Sequence, residues 1–155
     1  MSGVPESKRS ESKTRFMPNA QAIWDEVERI QSSKVTKAYR FTLGVPMVET
    51  ARRCVYNINR ADKFYPNTTI NVIERRKYLT LAIADSAQLF LDLQHAKRVG
   101  IGIKDSRLDN LLEMVEDEIR LLKAARGNVK LIGKESAADR KEALAQELAW
   151  LEQLE

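Results

Sequence analysis

Apolar residues recur at intervals of three and four along most of this chain, the spacing that puts them on one side of an α-helix. Ile23, Val27 and Ile30, with Trp24 beside them, predict a first helix from Ala20 to about Ser33, with Asn19 as its cap and Asp25 and Glu26 near its positive end. Val48, Ala51, Val55 and Ile58 predict a second helix, starting near Pro46 because proline fits only a first turn, and ending by Phe64. Tyr65-Pro66-Asn67 breaks the pattern, and Asn67 or Thr68 caps a third helix, Thr69 to Val99. Its second half, from Leu79 to Leu93, is apolar nearly all round, which implies burial on more than one side: the centre of a bundle, or a bundle helix that also meets another subunit. Gly100-Ile101-Gly102 turns the chain. Leu108, Leu111, Leu112, Val115, Ile119 and Leu122 then mark a fourth helix, capped by Ser106 with Asp109 three residues on and stopped at Gly127-Asn128. Past Gly133, Leu144, Leu148 and Leu151 line a fifth helix, Ser136 to Leu154, with Trp150 next to them; Gly133 separates it from the bundle, so the expectation is that it docks elsewhere or on a neighbour. No strand-like alternation and no repeat interrupts this series. The expected fold is all-α: an up-down four-helix bundle over 17–128 with an additional acidic C-terminal helix over 134–155. A disordered basic/polar tail over 1–16, with charges and serines but no apolar core of a secretory signal, is expected to precede it.

Charge changes the picture more than composition does. The 44 residues from Lys34 to Lys77 hold ten Lys or Arg against three acidic residues, a net +7, whereas Glu135 to Glu155 nets −4 and the whole chain only +4. The cations nominated for a polyanion or partner surface are Lys37, Arg40, Arg52, Arg53, Arg60, Lys63, Arg75, Arg76 and Lys77. Helices two and three, joined by a short loop, must lie antiparallel and adjacent, which brings Arg60 and Lys63 near the start of the third helix. Tyr56, Phe64, Tyr65 and Tyr78 interleave with these charges, to stack on bases or simply to pack. Asp85 and Asp92, seven residues apart on one face, are either an ordinary polar stripe or acceptors for Arg52 or Arg53.

Catalytic chemistry finds little to work with. The single histidine, His95, cannot build a multi-histidine metal site, and no nucleophile-elbow glycines surround a serine. Gly100-x-Gly102 lacks a preceding strand and a third glycine, so it reads as a turn. Glu113, Glu116, Asp117 and Glu118 lack the Glu-x-x-His pairs of a di-iron bundle and read as a solvated helix face. Cys54, the only cysteine, excludes an internal disulfide and reads as a small buried residue in a reducing, cytoplasmic setting. No apolar run reaches the ~20 residues of a membrane helix. The expectation is a protein that is not an enzyme, with no cofactor, no metal and no membrane.

The run Lys37-Ala38-Tyr39-Arg40-Phe41-Thr42-Leu43-Gly44 resembles the start of the second helix in the accessory variability determinant (Avd) family of diversity-generating retroelements. That family is related to the four-helix-bundle proteins encoded in intervening sequences of bacterial large-subunit ribosomal RNA genes. Leu89-Phe90-Leu91-Asp92-Leu93 through Ala96-Lys97-Arg98, and Leu111-Leu112 through Glu118-Ile119, continue the similarity. It covers about Ala20 to Gly127, and only Arg40 to Gly44 is distinctive. The resemblance implies a non-catalytic, homo-oligomeric protein, usually a pentameric ring, whose basic surface meets a reverse transcriptase and RNA or RNA/cDNA during mutagenic cDNA synthesis. The alternative is a structural bundle that oligomerises and docks an acidic protein partner, for example the −4 tail of a neighbouring copy, without nucleic acid.

Overall fold

In the computed structural model, residues 15–154 are described, and among them every regular element is helical. All but the last two residues of the expected 1–16 tail lie outside the described residues. The first helix, α1, spans Phe16–Ser33 and so begins a turn earlier than Asn19 predicts. Pro18 is tolerated there because first-turn amides have no helical partner to lose. Phe16 and Met17 pack against the core, which favours extending the helix to include them. Asn19 is therefore not a cap. Its side-chain amide donates to the Met114 carbonyl at 3.1 Å and to Glu118 Oε2 at 2.9 Å, fastening α1 to the fourth helix.

A short 3₁₀ turn, Lys37–Tyr39, and a π turn, Arg40–Gly44, lead into α2, Val45–Asp62, with Pro46 in its first turn as expected. The distinctive run thus has a local structural explanation. Leu43 enters the core, and a Cβ on Gly44 would lie 3.0 Å from Gln31 Cγ, so the residue admits the end of α1 at close range. The long helix α3 runs Thr69–Val99. Thr68 caps it, accepting from the Asn71 amide, and Gly100 closes it in the left-handed region at φ 73°. The fourth helix, α4, spans Asp105–Gly127. Ser106 lies inside it rather than at its cap, and Asp109 pairs with Lys97 at 2.7 Å.

α1 packs on α2 and α4, α2 on α3, and α3 on α4, which closes the four-helix ring. The fifth helix, α5 (Ala137–Glu152, capped by Ser136), packs chiefly on α3 among the described residues. Two apolar clusters fill the bundle. One, around Ile30, Met47, Leu93, Leu108 and Leu111, sits where α2 begins and α3 ends. The other, around Cys54, Ile58, Leu79, Ala82 and Leu122, fills the opposite half. Loops plug both ends: Thr36 donates to the Ile101 carbonyl over the buried Ile101, and Ile132 donates to the Pro66 carbonyl beside the buried Val129.

Polar groups run through the middle. Asp85 accepts from Asn57 Nδ2 at 2.8 Å and Arg53 Nε at 3.1 Å, Ser86 meets Cys54 Sγ at 3.2 Å, and Glu118 is fully buried. Glu118 corrects the solvated-face reading of the α4 carboxylates: its neighbours Glu113 and Glu116 are exposed, but it points inward, with Oε1 unpartnered. Burial pushes its pKa up to about 8, against the hydrogen bond from Asn19 that favours the carboxylate.

Candidate polyanion-binding face

On α2, positions 49, 52, 56, 60 and 63 fall within an arc of about 80° at 100° per residue. Glu49, Arg52, Tyr56, Arg60 and Lys63 are all exposed, so this arc faces solvent while Ala51, Cys54, Val55 and Ile58 face the core. The face is organised around Tyr56. Its hydroxyl accepts from Arg52 Nε at 3.0 Å, with the guanidinium carbon 5.0 Å from the ring centroid, and Trp24 of α1 meets the ring edge-on at 6.1 Å. Trp24 thereby fixes the ring and the ring fixes Arg52, which also lies 3.7 Å from Glu49. Arg60 is tethered lightly to Asn57 Oδ1 at 3.3 Å. Lys63 is exposed and has no ion-pair partner among the described residues. The arc offers three cations beside a half-exposed aromatic ring, the set that phosphates and a stacked base engage.

The other nominated cations do not join it. Arg53 leans the other way, onto Asp85 and, at 3.4 Å, Gln88 of α3. This answers the question left open for the two aspartates. Asp85 is an acceptor for α2, whereas Asp92 is half-buried, and burial raises its pKa against the opposing effect of His95. Arg75 donates to the Ala61 and Phe64 carbonyls and lies 3.7 Å from Asp62, closing the C-terminal end of α2. Arg76 donates to the Val129 carbonyl at 2.7 Å and holds the segment after α4. Lys77 lies 3.9 Å from Glu74 and 5.7 Å from the Tyr78 ring, and Tyr78 itself stacks on Phe64 at 5.7 Å. Of the four aromatics nominated for stacking, then, Phe64 and Tyr78 pack on each other, while Tyr56 and Tyr65 are exposed.

Lys37 and Arg40 stand at the opposite end of α2 from Arg60 and Lys63, separated by a helix about 27 Å long. Lys37 is exposed. Arg40 is half-buried with an unpartnered Nε, beside Phe41, which is 79% exposed. The nominated cations are therefore dispersed: Arg52, Arg60 and Lys63 on the outward arc of α2, Lys37 and Arg40 in the turn before it, Arg53, Arg75 and Arg76 in contacts that hold the fold, and Lys77 exposed on α3.

The C-terminal helix, expected to stand apart from the bundle, instead packs on α3 and covers part of the basic block. Glu135 accepts from both the amide and the hydroxyl of Thr69, and starts α5 beside the first turn of α3. Between the two helices lies a groove of about 570 Å³ lined by Ile70, Ile73, Lys77, Leu81, Glu147 and Trp150 among others. The acidic helix thus rests beside Arg76 and Lys77 of its own chain. A second groove of about 340 Å³, between α1 and α4, is bridged by Arg107 and Glu26 at 2.7 Å, and that bond holds the Glu26 pKa below its ordinary value.

Among the described residues no three His, Cys, Asp or Glu side chains are grouped as metal ligands, and no helix is long and apolar enough to cross a membrane. Burial pushes the Cys54 thiol up to about 12, which leaves it protonated and unreactive. No family model matches the chain, and no curated protein is similar to it at a significant level.

Proposed function

We propose that this chain is a non-catalytic, cytoplasmic accessory protein of a diversity-generating retroelement, binding a reverse transcriptase and its template RNA to support cDNA synthesis. The observation that carries the RNA part is the outward arc of α2, where Arg52, Arg60 and Lys63 stand beside a Tyr56 ring held edge-on by Trp24. Three cations on one rigid helix face add their counterion release, and the fixed ring supplies a stacking surface at little entropic cost. The polymerase part, and assembly into a ring, rest on the resemblance carried by Arg40 to Gly44.

The test is binding of single-stranded RNA across a salt series. Binding should weaken steeply with salt, and the triple variant Arg52→Glu, Arg60→Glu, Lys63→Glu should bind at least tenfold more weakly. Its logarithmic salt slope should be shallower by about 2, since each single-strand phosphate contact contributes roughly 0.7. Absence of binding at low salt would exclude the reading.

A second reading, a structural bundle that docks a protein without nucleic acid, is favoured by one observation. The leucines of α5 lie on the surface, with Leu148 58% exposed. Retained assembly together with no RNA binding would select it.

A further inference from the structure

Among the α-helices of the described residues, α5 is the least embedded. Ala143 is its one buried residue, on the side that meets α3. Leu144, Leu148 and Leu151, at 56%, 58% and 48% exposure, form a stripe turned about 110° from Ala143. Their 4–3 spacing is that of a helix-pairing seam. Apolar side chains aligned in this way on one face, rather than scattered, mark an interaction surface.

The charges beside the stripe identify its occupant. Arg140 and Lys141 flank it on both edges at the N-terminal end, within about 60° of Leu144. Glu152 flanks it at the C-terminal end, about 40° round the helix from Leu148, and Glu147 lies beside its midpoint. All four are exposed, and none forms an ion pair within the chain among the described residues. A helix that is basic at one end of its apolar seam and acidic at the other is complementary to itself when inverted. A parallel pair would set like charges against like at both ends.

We propose that α5 pairs antiparallel with α5 of a second copy of this chain, about a two-fold axis near Leu148. Leu144 then opposes Leu151, and Arg140 and Lys141 of each copy lie within reach of the acidic end of the other. The same patch is used on both copies, as an isologous dimer requires. A helix of 16 residues gives a seam about 24 Å long, so the contact lies at the small end of specific interfaces and the pairing is reversible. The proposal is independent of the RNA-binding reading: it uses no residue of the α2 arc.

Single cysteines in the full chain test it, with the buried Cys54 as the unreactive background. Under mild oxidation Leu148→Cys should form a disulfide-linked dimer. Leu144→Cys mixed with Leu151→Cys should cross-link several-fold more than either variant alone. Added to Leu148→Cys, the pair Arg140→Glu, Lys141→Glu should lower the cross-link yield at least fivefold, and further adding Glu152→Lys, which inverts the charges at both ends of the seam, should restore it. Failure of Leu148→Cys to cross-link overturns the proposal. So does preferential self-linking of Leu144→Cys and Leu151→Cys, which would mean a parallel pair. Loss of the Leu148→Cys product on placing Glu at 52, 60 and 63 would likewise overturn it, by showing that α5 docks on the α2 arc of a neighbour.

Discussion

α4 and α5 carry leucines at the same spacing and do opposite things with them. In α4, Leu108, Leu111, Val115 and Leu122 are at most 1% exposed, packed among α1, α2 and α3. In α5, Leu144, Leu148 and Leu151 remain about half exposed because, among the described residues, that helix rests chiefly on α3, on its Ala143 side. Periodicity reports which side of a helix is apolar. It does not report whether anything covers that side. The contrast explains why the same local rule yields a folding core in one place and a surface in the other.

The largest expected effect tests this difference directly. Leu111→Ala should destabilise the bundle by about 2–5 kcal/mol, because the cavity has helices on all sides and little room to collapse. Leu148→Ala should change the unfolding free energy of the monomer by less than about 0.5 kcal/mol, since the side chain leaves water only partly on folding. Chemical denaturation of both variants, measured below the concentration at which copies associate, makes the comparison. Equal losses would mean that α5 is a core element.

Next in size comes Glu118, the polar residue that α4 buries where α5 keeps its glutamates in water. Its folded pKa of about 8 lies above its ordinary value of 4.5, so the folded state binds the proton more tightly than the unfolded state. The sign follows: its contribution is most favourable below about pH 4.5, declines as pH rises through the window to about 8, and is flat above. Glu118→Gln should therefore be close to wild type in stability near pH 5 and more stable by a few kcal/mol near pH 9. Thermal unfolding at the two pH values measures it, and a gain of the same size at both would show that burial of the charge is not the cause.

The smallest effect concerns how the helices are started. Thr68→Ala removes the side-chain acceptor for the Asn71 amide at the head of α3 and should cost about 1 kcal/mol in denaturant unfolding. Ser136→Ala at the head of α5 removes an equivalent bond to Asp139 but should leave the bundle transition unmoved, because α5 contributes little to the core. A shift of the main transition by Ser136→Ala would weaken the distinction between the two helices.

These elements also mark how far the sequence could be read. The extent of α3 was legible because Thr68 and Gly100 are strong local signals at its ends, and Pro46 and Ser136 mark starts for equally local reasons. Asn19 and Ser106 carry the same cap chemistry but fail as predictors. Asn19 is recruited by Glu118 across the bundle, and Ser106 lies within a helix that starts one residue earlier. The candidate site was legible as a charge excess and not as a surface. Nothing local distinguishes Arg52, which faces solvent against Tyr56, from Arg53, which turns 100° away onto Asp85. Arg75 and Arg76 were spent on carbonyls at the ends of α2 and α4, partners 11 to 53 residues distant in the chain.

By itself, then, the sequence determined the helices, their apolar sides and the separation of a basic middle from an acidic end, because these depend on near neighbours and on a period of 3.6 residues. Only the tertiary structure decided which apolar sides are covered, which cations hold the fold and which face water, and that Glu118 lies inside. Those outcomes depend on what packs opposite each residue, and helices joined by turns bring together side chains that no local pattern relates.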